Sequence, residues 1–482
     1  MQRVQAVMRD GTVLTADVHR PPSGSGPWPV LLARGPYGSR DPGVLAALDP
    51  EGAARRGFLT VVQDVRGRFG SGGIWEPLVN ERDDGHESVR WAAGLPGSDG
   101  RVAMYGPSYL GHAQWAALTA GPPELVAVMP EFTWADPCDG LVARGGVPEL
   151  GLVAQWTLGL AGLDRDRDAL PATGWRSPAL AGLPVPGRSG GPDLPHALPA
   201  GSGRPAATLT VAGWYDAFLQ GSLDNHVRAR ELGGPATLIV GPWTHGDRAT
   251  ALPFGAADLR TAELHWLHAV LAGRTPPGPA VRVHLTGTGQ WRSYAAWPPP
   301  SVPLTLHLRG DGTLSRTPPP HAEAWRTFPY RPADPVPTLG GALLLTDDHP
   351  AGPADQRPLE DRADLLVWTG APLDRPLTVV GRVTALLTAH SSADPADWVV
   401  RLTDVAPDGT SRLVTDGITR TAAPGGTVPV DLWSTGHVFR PGHRLRVHVT
   451  ASSFPRWSPL PTPSDRRVAP ASRLMLPVVP EP

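Results

Sequence analysis

Six short apolar runs punctuate the first half of the chain, and helical patterns separate several of them. The runs are Val30–Ala33, Phe58–Val62, Val102–Tyr105, Leu125–Met129, Thr208–Ala212 and Thr237–Val240. They are largely apolar throughout rather than alternating, which is typical of parallel strands covered on both faces. Helical patterns run from Asp83 to Ala93 and from Ser222 to Leu232. This order predicts a doubly wound α/β sheet, in which ligands bind at the carboxyl ends of the strands.

The strand pattern is interrupted between about residues 133 and 205. This stretch combines a helical piece, Leu150 to Leu160, with loops rich in Pro and Gly. Its tryptophans, Trp134, Trp156 and Trp175, argue against a disordered linker. We therefore expect a helical cap inserted over the carboxyl edge of the sheet.

Beyond a helix from Ala257 to Leu271, a Gly- and Pro-rich segment, 273–279, signals a boundary. Strand-like runs with turns between them then follow to the end of the chain, for example Val281–Leu285, Leu377–Leu387 and Arg444–Thr450. Many strands with few helices predict a jelly-roll type of β-sandwich. The expected domains are an α/β domain (1–132 and 206–273), the cap (133–205) and the β-sandwich (274–482).

Bulk properties exclude several classes of function. The net charge of −2 over 482 residues favours neither a nucleic-acid partner nor a membrane surface. No apolar run approaches the roughly 20 residues of a membrane span, and no signal-peptide core follows the N-terminus, so we expect a cytoplasmic protein. Cys138 is the only cysteine, which excludes an internal disulfide and a thiolate metal cluster. The chain has no lysine that could act as a base.

Ser108 lies in the hexapeptide from Gly106 to Gly111, between an apolar run and a helical pattern. A serine at a glycine-flanked turn from strand to helix is how one large class of hydrolases exposes its nucleophile. The spacing differs from the common G-x-S-x-G, because Leu110 stands where the second glycine is usual. Taken alone, the hexapeptide is equally typical of an ordinary strand–turn–helix junction.

Asp216 and His245 supply the two partners that a serine nucleophile needs. Asp216 directly follows the run Thr208–Ala212, and His245 follows the run Thr237–Val240. A serine hydroxyl requires a base within hydrogen-bond reach, and that base requires a group that fixes its tautomer. The order Ser, Asp, His, each after a sheet strand, is that of the α/β-hydrolase fold. The sequence therefore predicts a catalytic triad of Ser108, Asp216 and His245.

An oxyanion hole should accompany this triad. The backbone N–H of Tyr109, the residue after the nucleophile, is one donor by position. A second donor is expected from the loop after an early strand, where Tyr37 could direct its phenol into the site. The alternative for Tyr37 is a loop aromatic that packs on the surface.

Linked motifs along the chain resemble those of the CocE/NonD hydrolases, relatives of the X-Pro dipeptidyl-peptidases. The similar segments are 34–37, 64–68 with 70–72, 80–85, 106–111, 213–216 and 241–246, and 401–405, 407–409, 416–417 and 454–456 in the β-rich part. The resemblance implies that Ser108 is the nucleophile, His245 the base and Asp216 the orienting acid. It also implies that the Tyr37 hydroxyl and the Tyr109 amide hold the oxyanion.

For the substrate pocket, the resemblance implies an acyl-lining role for Phe218. Trp156 could line the pocket from the cap or could simply pack in the cap core. α-Amino-acid ester hydrolases of this family bind the substrate ammonium with carboxylates just after the catalytic Asp, where this chain has Phe218 and Leu219. Because an ammonium would lose its solvation there without compensation, we expect no preference for a free α-amine.

These observations predict a serine hydrolase that cleaves small carboxylic esters through an acyl-enzyme, without a cofactor or metal. An amide-cleaving acylase or X-Pro dipeptidyl aminopeptidase is the alternative among enzymes. An inactive protein that binds carbohydrate through its β-sandwich is the alternative from another class. Metal-dependent hydrolysis is disfavoured because no H-E-x-x-H spacing occurs. The oligomeric state, a homodimer included, is left open.

Overall fold

The N-terminal part of the molecule is built on a ten-stranded sheet. The computed structural model describes residues 1–162, 196–199, 203–246, 258–276, 278–320, 323–422 and 425–480. The first twelve strands are β1 (Gln2–Val7), β2 (Val13–His19), β3 (Trp28–Gly35), β4 (Leu59–Asp64), β5 (Ser98–Pro107), β6 (Leu125–Glu131), β7 (Ala143–Arg144), β8 (Val147–Pro148), β9 (Ala207–Gly213), β10 (Ala236–Gly241), β11 (Val281–Leu285) and β12 (Gln290–Tyr294). Strands β7 and β8 form a separate hairpin, and the others form the sheet in the order β1-β2-β4-β3-β5-β6-β9-β10-β11-β12.

Helices cover both faces of this sheet. They are α1 (Pro42–Leu48), α2 (Pro50–Arg55), α3 (Glu81–Ala93), α4 (Tyr109–Ala120), α5 (Leu150–Leu160), α6 (Leu219–Glu231) and α7 (Leu259–Leu271). Strand β3 sends Leu31 and Ala33 into a core shared with α1, α2 and α7. Its alternate residues, Val30 and Leu32, face a second core shared with α3, α4 and α6. Seven neighbouring strands of this sheet run parallel, in the order β4-β3-β5-β6-β9-β10-β11. The predicted doubly wound α/β sheet is therefore confirmed.

The first sheet extends further along the chain than the sequence predicts. Val281–Leu285 was assigned to the β-sandwich, but it pairs in parallel with β10, and β12 continues the sheet as an antiparallel edge. The predicted boundary at residue 274 is therefore wrong for these two strands. The Gly- and Pro-rich segment that suggested it follows the end of α7 and does not mark the end of the sheet.

The C-terminal part forms a second, eleven-stranded sheet that is mainly antiparallel. Its members are β13 (Val302–Leu308), β14 (Thr313–Ser315), β15 (Arg326–Tyr330), β16 (Leu365–Gly370), β17 (Leu377–Ser391), β18 (Ala396–Val405), β19 (Ser411–Thr421), β20 (Gly425–Phe439), β21 (Arg444–Thr450), β22 (Ser464–Val468) and β23 (Arg473–Val478), with one short helix, α8 (Arg357–Glu360). Its order is β15-β22-β17-β23-β13-β14-β16-β21-β18-β19, and β20 pairs with β17. A buried core of Leu, Val and Trp side chains fills it, so the prediction of a β-rich second part is confirmed.

The two parts and the cap pack directly on one another. Trp214, after β9, donates its indole N–H to the carbonyl of His284 of β11 in the same sheet, and its ring lies so close to Gly436 of β20 in the second sheet that a Cβ there would come within 2.5 Å of it. The predicted cap helix is confirmed as α5, which contacts the C-terminal part through Gly151 and Leu345. Trp175 lies outside the described residues. No helix in the described part of the chain is long and apolar enough to cross a membrane.

Candidate active site

Ser108 stands at the sharp turn between β5 and α4, at the carboxyl edge of the first sheet. Its backbone adopts φ 60° and ψ −123°, a conformation that L-residues rarely take and that costs about 1–3 kcal/mol. The turn is held because the Ser108 N–H donates to the Glu131 carbonyl (2.9 Å) and the Ser108 carbonyl accepts from the N–H groups of Gly111 and His112. The side chain is partly exposed at the head of the helix.

The glycines around Ser108 are required by close packing. A Cβ on Gly111 would lie 2.8 Å from Thr133 Cβ, and one on Gly106 (φ 120°) would lie 2.9 Å from Leu110 Cδ2. Leu110 fits in the place of the usual second glycine because Gly35 also makes room for it, at 2.6 Å from a Cβ on Gly35 to Leu110 Cδ1. The unusual spacing of the hexapeptide therefore has a packing explanation.

Asp216 and His245 form a hydrogen-bonded pair at the ends of the adjacent parallel strands β9 and β10. His245 Nδ1 lies 2.6 Å from Asp216 Oδ2. Asp216 is fully buried, and its other oxygen accepts from the Phe218 N–H at 2.7 Å. The His245 side chain is 15 % exposed and has the ring of Phe218 edge-on, 5.1 Å away between centroids. With Nδ1 bonded to the carboxylate, Nε2 is left as the basic nitrogen.

Tyr37 reaches the site from the loop after β3. Its hydroxyl lies 3.3 Å from Trp156 Nε1, and it also shares a hydrogen bond with Ser108. Burial raises the pKa of the Tyr37 phenol, although these two hydrogen bonds oppose that rise. The phenol therefore stays protonated near neutral pH and can donate a hydrogen bond. Tyr37 therefore contacts Ser108 and Trp156 and does not pack on the surface as a loop aromatic.

Tyr109 contributes two polar groups, a phenol and a backbone N–H. Its phenol is buried, donates to Glu81 Oε1 (2.9 Å) and accepts from the Leu78 N–H (3.0 Å). Burial raises the pKa of this phenol well above its ordinary value, and the Glu81 carboxylate adds to the rise. Its backbone N–H is the first of α4 and has no acceptor within the helix, so it is free by geometry to meet an anion at the helix N-terminus.

Behind Tyr109 lies a buried ion pair. Arg34 Nη1 is 2.9 Å from Glu81 Oε2, and both side chains are essentially without exposure. Arg34 also bonds Gln63, at 2.7 Å. In the sequence, Glu81 is only part of a segment that resembles the family. Its hydrogen bond to Tyr109 at the start of α4 could not be predicted.

An apolar cluster surrounds the site. Phe218 packs edge-on against Trp134, 4.9 Å between ring centroids, and Trp156 and Leu344 belong to the same cluster. The structure therefore brings both predicted pocket residues, Phe218 and Trp156, into the apolar cluster that Tyr37 also contacts. Sequence reasoning missed Trp134 as a site residue, although its place after β6 was a signal. It also missed Leu344, which arrives from the C-terminal part without any local signal.

The described residues contain no group of three or more His, Cys, Asp or Glu side chains close enough to hold a metal ion. The acidic cap residues Asp136 and Asp139 accept hydrogen bonds from backbone N–H groups of their own loop. Asp136 accepts from the Cys138 N–H, and Asp139 accepts from the Gly145 N–H at 2.9 Å. The chemistry that the site offers is that of a hydroxyl, an imidazole and a carboxylate.

Two family models match the chain. Residues 10–182 match the X-Pro dipeptidyl-peptidase (S15 family) model, and residues 276–474 match the model of the X-Pro dipeptidyl-peptidase C-terminal non-catalytic domain. Among solved structures, an aminopeptidase from a marine sediment Thaumarchaeota archaeon superposes with a TM-score of 0.80 at 22 % identity, covering 99 % of this chain and 96 % of that one. An α-amino acid ester hydrolase superposes with a TM-score of 0.77 at 23 % identity and the same coverage. Both likenesses show the fold, an α/β-hydrolase domain followed by a β-rich domain.

A sequence relative carries the assignment further. Cocaine esterase of Rhodococcus sp. (strain MB1 Bresler) is 33 % identical over 528 aligned positions, which cover 94 % of this chain and 91 % of the relative. Identity at this level over nearly both full lengths extends through the α/β part and the β-rich part alike. The chain therefore belongs to the CocE/NonD family of serine hydrolases.

Proposed function

We propose that the protein cleaves carboxylic esters through an acyl-enzyme formed on Ser108. The observation that carries the proposal is the 2.6 Å contact between His245 Nδ1 and the buried carboxylate of Asp216, which follow β10 and β9 of the same sheet whose strand β5 leads into the Ser108 turn. This contact fixes the imidazole tautomer whose Nε2 accepts a proton. Asp216 also stabilises the imidazolium that forms when the proton arrives.

In the first half-reaction, Ser108 Oγ attacks the ester carbonyl carbon while its proton passes to His245 Nε2. The carbonyl oxygen becomes an oxyanion, which accepts hydrogen bonds from the Tyr109 N–H and the Tyr37 hydroxyl. As the tetrahedral intermediate collapses, the carbon–oxygen bond to the alcohol breaks and His245 returns the proton to the leaving oxygen. In the second half-reaction, water attacks the acyl carbon by the same route and releases the acid.

The pocket favours an apolar, uncharged acyl group. Phe218 and Leu219 are both 2 % exposed and follow the acid at the place where an ammonium-binding site would need carboxylates. Trp134 and Trp156 share one apolar cluster with Phe218, whereas Leu219 packs into a neighbouring core with Trp214. We therefore propose esters without a free α-amine as substrates, and amides, X-Pro amides included, as the poorer alternative.

The test is hydrolysis of a short-chain nitrophenyl ester, together with labelling by a fluorophosphonate probe. Ser108→Ala should abolish labelling and lower kcat by up to roughly 10⁶-fold, because the acyl-enzyme cannot form. Ser301→Ala, at an exposed serine, is the matched control and should keep both. Full activity in Ser108→Ala refutes the assignment. Unlabelled wild-type protein without esterase activity favours the inactive carbohydrate-binding alternative, and faster cleavage of X-Pro amides than of esters favours the peptidase alternative.

A further inference from the structure

Arg68 lies in the loop between β4 and α3, and its guanidinium bonds two carbonyls from different parts of the molecule. Nε donates to the carbonyl of Pro36 at 3.0 Å, and Nη1 donates to the carbonyl of Leu160 at 3.3 Å. Pro36 immediately precedes Tyr37 in the loop after β3. Leu160 is the last residue of the cap helix α5. One side chain therefore joins the loop that carries the second oxyanion donor to the cap.

The cap helix in turn contacts Tyr37. Trp156, one turn before Leu160 on α5, approaches the Tyr37 hydroxyl with its indole N–H at 3.3 Å. Arg68 thus closes a ring of contacts that runs through Pro36, Tyr37, Trp156 and the end of α5. The ring fixes both ends of Tyr37: its backbone through Pro36 and its hydroxyl through Trp156.

Two aromatic rings hold the guanidinium of Arg68 in place. It lies 4.8 Å from the ring centroid of Trp75 and 5.2 Å from that of Phe69, both within the reach of a cation–π contact. Phe69 is 64 % exposed and has a φ of 46°, which is unfavourable for a bulky residue. Its ring also leans on Gly38, where a Cβ would come within 3.1 Å. Phe69 therefore packs on the loop that carries Tyr37, next to the guanidinium of Arg68.

The charge of Arg68 also bears on Tyr37. The positive guanidinium lowers the pKa of the phenol in part, against the rise that burial causes. No salt bridge to a carboxylate in the described ranges satisfies Arg68, whereas Arg66 in the same loop is paired with Asp84 and Asp10. A cation at the end of α5 also lies favourably with respect to the carbonyls of that helix terminus.

We propose that Arg68 is a positioning residue for catalysis, because it holds the Tyr37 hydroxyl where the oxyanion forms and couples that position to the cap helix. The inference rests on the proposed acyl-enzyme mechanism. Arg68 does not touch the substrate in this role. Its effect passes through Tyr37, so it belongs to turnover rather than to ground-state binding.

The experiment is a double-mutant cycle between Arg68→Met and Tyr37→Phe, read as kcat and KM on a short-chain nitrophenyl ester. Arg68→Met keeps an apolar stem but loses both hydrogen bonds, and it should lower kcat by roughly 10- to 100-fold with KM within about threefold. Tyr37→Phe alone should lower kcat by roughly 10²–10³-fold. In the Tyr37→Phe background, Arg68→Met should lower kcat by less than about threefold, because no hydroxyl remains to be positioned.

Two further variants serve as a conservative replacement and as a control. Arg68→Lys keeps the charge but has a single donor nitrogen in place of the guanidinium fork, so part of kcat should return. Arg20→Met removes the same kind of bond, a guanidinium to the carbonyl of a proline (Pro96, 2.6 Å), at an exposed place away from the site, and should leave kcat unchanged. A wild-type kcat in Arg68→Met, or an equal loss in both Tyr37 backgrounds, overturns the proposal. If Ser108→Ala and Tyr37→Phe were themselves fully active, the acyl-enzyme mechanism would be what fails.

Discussion

Single residues in this site hold conformations and protonation states that the surrounding structure must maintain. Ser108 has a positive φ, Asp216 is a fully buried carboxylate, and Tyr37 keeps its proton. His112, one turn beyond Ser108, is of the same kind: it has no exposure and stacks on Trp134 at 5.6 Å between centroids. Burial lowers the pKa of His112 to about 4.

The buried state of His112 predicts a dependence of stability on pH. An unfolded histidine binds its proton below a pKa of about 6.5. Since the folded protein does not bind it until about pH 4, stability is full above pH 6.5 and falls as the pH drops toward 4. The expected slope is about 1.4 kcal/mol per pH unit for this one proton. His112→Phe, which keeps the ring stack, should remove about half of that slope of the unfolding free energy between pH 7 and 6 and most of it between pH 6 and 5, as measured in urea titrations at pH 7, 6 and 5.

His265→Phe is the control for this experiment, since His265 is exposed on α7. It should leave the slope as in the wild type. A slope in His112→Phe that equals that of the wild type would show that His112 is protonated in the folded state too.

At the level of helices and strands, the parts that could be predicted are those with a local pattern. Each of the six apolar runs overlaps a strand of the first sheet, and the strand–turn–helix at Ser108 follows from its glycines and flanking runs. The antiparallel strands β1 and β2 escaped prediction. Strand β11 lies in the first sheet rather than in the predicted β-sandwich, and β12 has no counterpart among the predicted runs, because which edge a strand pairs with depends on distant residues.

The residues of the candidate site also fall into those that a local sequence pattern predicts and those that it does not. Ser108, Asp216 and His245 could be found because each follows a strand at the same sheet edge. Arg68 and Leu344 could not, since Arg68 acts through backbone carbonyls and Leu344 comes from a loop about 190 residues beyond Leu152, its neighbour in the same apolar cluster. Contacts between residues that are far apart in the sequence leave no periodic pattern in it.

The packing of α4 against the segment after β6 yields a prediction for Gly111. A Cβ at Gly111 would lie 2.8 Å from Thr133 Cβ, and Thr133 cannot retreat easily because Ser222 Oγ bonds both its N–H (3.0 Å) and its carbonyl (2.9 Å). Gly111→Ala should displace the start of α4, and with it the Tyr109 N–H. We expect a stability loss of about 1–3 kcal/mol, measured as a lower Tm, and a fall in kcat.

Gly94→Ala is the matched control, because a Cβ there meets its nearest atom at 3.5 Å, an ordinary contact. It should preserve kcat and leave Tm almost unchanged. If Gly111→Ala behaved like Gly94→Ala, the close approach of α4 to Thr133 would be unnecessary for the site.

Across the whole molecule, the C-terminal part supports the site through a buried ion-pair network. Asp416 accepts two hydrogen bonds from Arg456 Nη1, at 3.0 and 3.1 Å, and lies 3.7 Å from Arg144 of the cap hairpin. Arg456 also donates to the carbonyl of Ala342 and accepts from the N–H of Gly151 in α5. One carboxylate of the β-rich part thus anchors the cap and the loop that brings Leu344 to the pocket.

Removal of that carboxylate should therefore affect stability and activity together. Asp416→Asn keeps the shape of the side chain but removes the negative charge that faces the buried guanidinium groups of Arg144, Arg401 and Arg456. Breaking a buried pair in this way costs about 3–5 kcal/mol, so we expect Tm to fall by several degrees. Because α5 carries Trp156 and its end bonds Arg68, kcat on the nitrophenyl ester should fall as well.

Asp465→Asn, at an exposed position of β22, is the control and should change neither Tm nor kcat. A lower Tm with wild-type kcat would mean that the network stabilises the fold without holding the cap over the site, whereas an unchanged Tm would remove the network from the stability of the molecule altogether.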